Sequence, residues 1–147
     1  MGTLGIDTTA ESTAILARLN TLSPTYEGVD QGENLPVDEW GQNAPYRDVS
    51  FGSILPTSRV GRAMGIGEGD QPHAWTFEVR HVAATREKVR QMSQETDASL
   101  IGWAPSANAT DIRPYYYVQY DSRNQNGAIL SYTAVRFYEC IIGVLAP

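Results

Sequence analysis

The chain has 147 residues, 41% hydrophobic and 19% charged, with 17 acidic side chains against 11 basic ones for a formal charge of −6. That length suits one domain with its own core, and the composition argues against wholesale disorder. The acidic balance repels nucleic acid and argues against sequence-specific DNA binding.

Residues 9–22 form the first expected element, a helix. Thr8-Thr-Ala-Glu11 has the spacing of a capping box, and Ile15, Leu19 and Leu22 follow at helical intervals. Ser23-Pro24 ends it, and residues 26–29 are short and weakly patterned, which suits an edge strand. Residues 30–45 carry Gly32, Pro36, Gly41 and Pro45, an irregular loop anchored by Leu35, Val37 and Trp40. Residues 49–55 alternate as a strand. A second long loop, 56–72, follows with Gly61, Gly65, Gly67 and Gly69 beside Arg59 and Arg62. Loops of that length in a compact domain tend to be functional, and this one is expected to order against another subunit.

Residues 73–83 give the clearest strand, with Trp75, Phe77 and Val79 on one face and Thr76, Glu78 and Arg80 on the other. Thr85 then caps a helix whose inward stripe is Val89, Met92, Thr96, Ser99 or Leu100, and Trp103, closed by Gly102 and Pro105. After a small-residue loop at 106–110, residues 112–120 form an aromatic strand containing Tyr115, Tyr116, Tyr117 and Tyr120. The polar run 121–127 ends in Asn126-Gly127, a strong hairpin signal, so the last strand, 128–144, returns antiparallel.

That last strand is long. Its span of roughly 55 Å exceeds the roughly 38 Å diameter of a compact domain of this size. It must bend near Gly143, bulge, or reach a neighbouring subunit. Val135, Phe137 and Ile141 share one of its faces with Glu139, while Leu130, Tyr132, Tyr138, Cys140 and Ile142 share the other with Arg136. Two mostly apolar faces both need cover. The expected fold is therefore α+β: a mixed, mainly antiparallel sheet of about four or five strands with two helices on one face, long loops and a C-terminal hairpin, in a single domain 1–147.

The residues offer little for catalysis. His73 and His81 share a strand face but stand about 26 Å apart, too far for one metal, and His81 reads as a core histidine. The glycine cluster 61–69 lacks both GxGxxG and the Gly-Lys-Ser/Thr ending of a phosphate loop, and Glu68 and Asp70 would repel a phosphate. Asp38-Glu39 lacks the spacing of a calcium loop. The lone cysteine, Cys140, excludes an intramolecular disulfide and lies in an apolar run, as a buried small hydrophobe would. The expectation is a protein that is no enzyme and uses no metal or cofactor. With no secretion signal and no apolar stretch near the roughly 20 residues that cross a bilayer, it is expected to be made and kept in a cytoplasm.

Ten of the eleven basic residues are Arg, a residue favoured at interfaces. The stretch Trp75-Thr-Phe-Glu-Val-Arg-His-Val-Ala-Ala-Thr-Arg86, the helix ending Leu100-Ile-Gly-Trp103, and the hairpin ending at residues 132–142 together resemble the tail terminator family of long-tailed bacteriophages. In that family a strand of the type v-x-V-x-x-V-A-x-T-R passes into a helix ending L-x-G. The likeness covers residues 72–142, with a looser match at Pro45-Tyr46 and Phe51-Gly52-Ser53. The chain departs from it in a longer middle loop and in the Tyr115 to Tyr117 cluster.

The resemblance implies a homohexameric ring in the virion, at the head-proximal end of the tail and assembled in the host bacterial cytoplasm. Such a ring caps the tail tube, stops its polymerisation, and meets the tail-tube protein on one face and a head-completion or connector protein on the other. DNA would only pass through the acidic lumen. Subunit contacts are expected at Trp40, Arg59, Arg62, Met64, Tyr116, Arg136, Tyr138 and Ile142. Another head-tail connector, a tail-tube subunit, or a small α+β enzyme or ligand-binding domain are the alternatives.

Overall fold

The computed structural model describes residues 7–28, 45–56, 73–116, 121–126 and 129–143. In chain order the elements are α1 (Thr9–Asn20), β1 (Thr25–Glu27), β2 (Tyr46–Pro56), β3 (His73–Ala83), α2 (Arg86–Leu100), β4 (Arg113–Tyr116), β5 (Asp121–Asn126) and β6 (Ile129–Ile142). The six described strands make one mixed sheet in the order β1-β2-β3-β6-β4, with β5 also on β6. β1 runs parallel to β2, and the β2–β3, β3–β6, β4–β6 and β5–β6 pairs are antiparallel. The expected α+β architecture is present, with the two described helices on one face.

One register aligns that face. Trp75 lies opposite Cys140, Phe77 opposite Tyr138, Val79 opposite Arg136 and His81 opposite Ala134. Arg47, Val49 and Phe51 of β2 meet His81, Val79 and Phe77 in turn. Side chains alternate along a strand, so all of these point towards the helices. Ile15 and Leu19 of α1 and Leu100 of α2 close over Val49, Trp75, Phe77, Val79, Tyr138, Cys140 and Ile142. Val89 and Met92 cover Ala83 and Ala134 at the other end. Phe51 stacks on Trp75 at 5.2 Å between centroids, and Phe77 stacks on Tyr138 at 5.5 Å.

Only Ala84 and Thr85 separate β3 from α2, so the helix must fold straight back over the sheet. Thr85 accepts a hydrogen bond from the Lys88 amide at 3.2 Å, the expected N-cap. The β3–α2–β4 crossover passes over β6, which lies between two mutually parallel strands. At the helix end Gly102, with φ +85°, turns the chain so that its amide donates to the Ile112 carbonyl at 2.9 Å. A side chain would strain that left-handed backbone.

Three local readings of the sequence change. The capping box of α1 does not form: the Thr8 side chain makes no cap bond, and the Asp7 carboxylate accepts the Thr9 amide at 2.9 Å instead. Glu11 is buried rather than reaching back. The polar run expected as a turn is itself strand β5, because each of its six residues can pair with β6 whatever its side chain. Conversely, the expected strand 112–120 is seen as β4 over Arg113–Tyr116; residues 117–120 lie outside the described residues.

The last strand neither breaks nor leaves the sheet within its described span. It ends at Ile142, where Gly143 takes φ +83° and donates its amide to the Asn108 carbonyl at 2.8 Å. β3 accompanies it from Tyr132 to Ile142. The remaining pairs, Asn124 with Ser131, Gln125 with Leu130 and Asn126 with Ile129, carry the hairpin past the end of β3. Three residue pairs at strand rise make a projection of about 10 Å.

β2 bends at a bulge, where the register shifts between Phe51 and Ile54. A Cβ on Gly52 would stand 2.8 Å from the Thr76 carbonyl oxygen and 2.9 Å from its hydroxyl. Gly52→Ala is therefore expected to cost about 1–3 kcal/mol, because it drives a methyl into the backbone of the neighbouring strand. Urea unfolding of the variant tests this, and an unchanged midpoint would refute it.

Candidate functional site

Under α2 the apolar core is interrupted by a cluster of buried polar side chains. Arg47 is only 1% exposed, and His81, Ser93 and Thr96 are wholly buried. Thr96 is the hub. Its hydroxyl accepts from Arg47 Nε at 2.9 Å and lies 2.7 Å from His81 Nε2. His81 Nδ1 lies 3.0 Å from the Ala134 carbonyl, which can only accept, so Nδ1 carries the proton. Nε2 is then the bare nitrogen, and Thr96 must donate to it. Arg47 completes the cluster by donating Nη2 to the Met92 carbonyl at 2.9 Å and Nη1 to the Ser23 hydroxyl at 2.7 Å.

The ionisation of these groups follows from burial. Desolvation, set against the carbonyl of Ala134 and reinforced by the nearby Arg47 and Arg136 charges, pushes His81 from 6.5 down to about 3. It is neutral at physiological pH. Burial likewise lowers Arg47, with Glu95 and then Tyr138 opposing the shift, and all three of its hydrogen bonds go to uncharged acceptors. A second polar tie joins β6 to the helix: Asp97 accepts from the Tyr138 hydroxyl at 2.6 Å and from Arg136 Nη1 at 2.8 Å. Burial, followed by the Asp97 hydrogen bond, holds the Tyr138 phenol far above its ordinary range. Burial, then Glu11 and Glu139, pushes the Cys140 thiol up to about 12, which removes it as a nucleophile.

These groups tie strands to a helix. Among the described residues, no three His, Cys, Asp or Glu side chains come close enough to share a metal ion. No described helix is long and apolar enough to cross a membrane.

The outer surface offers more. Among the described strands β4 lies at one edge of the sheet, and its register shifts between Pro114 and Tyr116. The extra residue, Tyr115, is 53% exposed, and Ile101, bridged to Ile112 just before the strand, is 41% exposed. Arg113 and Glu139 pair at 2.8 Å beside them. The three-residue parallel strand β1 lies at the opposite edge among the described strands. A scan of protein-family models finds no match to this chain, and neither does a search of curated proteins.

The residues expected at subunit contacts fare differently. Trp40, Arg59, Arg62 and Met64 lie outside the described residues, and Tyr116 is placed in β4 by its backbone alone. Tyr138 and Ile142 are a correction. They are 1% and 0% exposed, on the helix-covered face, so their side chains serve the subunit's own core. Arg136, on the same face, is held by Asp97. The second face is also partly covered by the subunit itself, since Tyr46, Val82, Thr133 and Val135 are buried there. Sequence reasoning missed Arg47 and the role of Asp97. The available signal for Arg47 was its place two residues before Val49 and four before Phe51, on the inward side of the strand.

Proposed function

We propose that the chain is a structural ring subunit of the tail-terminator type, capping a phage tail tube and joining it to the head-completion proteins. The observation that carries this reading is an open sheet whose two edges, among the described strands, are unlike. β1 offers three parallel-paired residues on one side, while β4, with exposed Tyr115 and Ile101, lies on the other beside the projecting β5–β6 hairpin. A closed ring is built from head-to-tail contacts, and these require two different complementary surfaces on every subunit. The strand of residues 73–83 running directly into a capped helix is the unit on which the family resemblance rests.

Multi-angle light scattering of the purified protein should give about six times the 16.1 kDa subunit mass, with discrete rings in negative stain. A monomer, or tubes that lengthen with concentration, would overturn the reading, tubes favouring a tail-tube subunit. Ile101→Glu with Tyr115→Glu should shift the protein towards smaller species, because a stable interface seldom tolerates unpaired charges at its apolar centre. Circular dichroism should stay unchanged, since both side chains are exposed. Unchanged mass would remove the β4 border from the interface.

A further inference from the structure

Beside the buried cluster lies a cleft of about 240 Å³ between the end of α1, the start of β2 and α2. Arg47 of β2, Leu22 and Ser23 after α1, and Lys88, Met92 and Glu95 of α2 are among the residues that line it. Lys88, Met92 and Glu95 are four and three residues apart, so they form a single stripe along the helix. We propose that this cleft binds a carboxylate, with Arg47 and Lys88 as its two cationic partners.

Arg47 motivates the assignment. A guanidinium has five N–H groups. Three are used, one each on Thr96, the Met92 carbonyl and Ser23, which leaves one on Nη1 and one on Nη2. Its charge is buried and, among the described residues, it forms no ion pair. A buried cation without a bonded anion is costly, and a carboxylate delivered to it makes the short, charge-assisted bonds that Arg favours. Ser23 can take part as well, because its hydroxyl otherwise donates only to the Pro24 carbonyl at a long 3.3 Å.

Charge and size narrow the ligand. Among the described lining residues, Arg47 and Lys88 against Glu95 leave one net positive charge, on a chain whose formal charge is −6. One positive charge suits a monoanion, and Glu95 opposes a dianion such as phosphate. The volume is below the roughly 300–1,000 Å³ of drug-sized sites, so it suits a short acid whose apolar part rests on Leu22 and Met92. The carboxylate has two possible sources: a free short-chain acid, or an Asp or Glu side chain of a second copy of this chain.

Two measurements separate them. Butyrate, titrated at constant ionic strength, is followed by amide chemical shifts near Ser23 and Lys88; assembly mass is measured in parallel for wild type and Lys88→Glu. Saturable binding that weakens by about tenfold or more in Lys88→Glu supports a free-acid site. If butyrate does not bind, but Lys88→Glu lowers the assembly mass with circular dichroism unchanged, the carboxylate comes from another copy. If neither effect appears, the proposal is overturned. Should the wild type prove monomeric, the ring reading fails, and the butyrate titration alone decides the cleft.

Discussion

Thr96→Val is expected to destabilise the protein by about 2–5 kcal/mol, although the two side chains are nearly equal in volume. The loss arises from two partners left unsatisfied, not from a cavity. Without the hydroxyl, Arg47 Nε loses its acceptor and His81 Nε2 loses its donor, and both side chains are buried. Each orphaned buried group costs about 1–3 kcal/mol, with the charged one at the upper end. Urea unfolding should show a lower midpoint with an unchanged m-value. A loss below about 1 kcal/mol would mean that the cluster relaxes around the gap, and that Thr96 is not its hub.

A second large effect is acid destabilisation through His81. Its ordinary value of 6.5 falls to about 3 in the native state. Between these two values the unfolded chain holds a proton on His81 that the folded chain does not. The unfolded state therefore gains on acidification, and stability rises with pH across this window. His81's contribution is complete above 6.5 and declines by about 1.4 kcal/mol per pH unit below it, levelling off near pH 3. His81→Gln removes the titration while keeping an amide that can donate and accept. The stability advantage of wild type over this variant should shrink by that slope from pH 6.5 downwards. A constant difference across the range would show that His81 is protonated within the folded protein.

Both effects arise because a stripe of polar residues was placed inside an otherwise apolar layer. Replacing such a cluster with hydrophobic residues is often neutral or stabilising, whereas removing one member is costly. Here the cluster joins β2, β3 and β6 to α2 through Arg47, His81, the Ala134 carbonyl and Thr96. Asp97 adds the tie from α2 to Tyr138 and Arg136. The strand-to-helix unit is therefore locked at one rotation of the helix. The same anchoring holds Arg47 in the lining of the cleft, which Lys88 and Glu95 of the helix share.

The strongly patterned elements were legible before any coordinates. The alternation of Trp75, Phe77 and Val79 marked β3 at its observed bounds, and Thr85 with Val89, Met92 and Thr96 marked α2 with its cap. These signals are local: a period of two or of 3.6 states which side of an element is apolar, and a threonine before a helix bonds to its free amides wherever the helix lies. Asn126-Gly127 and the apolar last strand likewise implied an antiparallel return, which β5 and β6 make.

What the tertiary structure decided depends on partners distant in the chain. β5 reads as polar turn, yet it is strand because β6 offers it a ladder. Glu11 looked like a capping residue, but α1 turns it inward. Tyr138 and Ile142 had the character of interface residues, and only the cover of α1 and α2 shows that they are core. In the sequence Arg47 is one basic residue among eleven, and in the fold Thr96, Met92 and Ser23, from two other segments, close around it. Periodicity sets which residues share a face of an element, whereas what covers that face is set by long-range packing, and in this protein the buried cluster, the cleft and the open β4 border all follow from that cover.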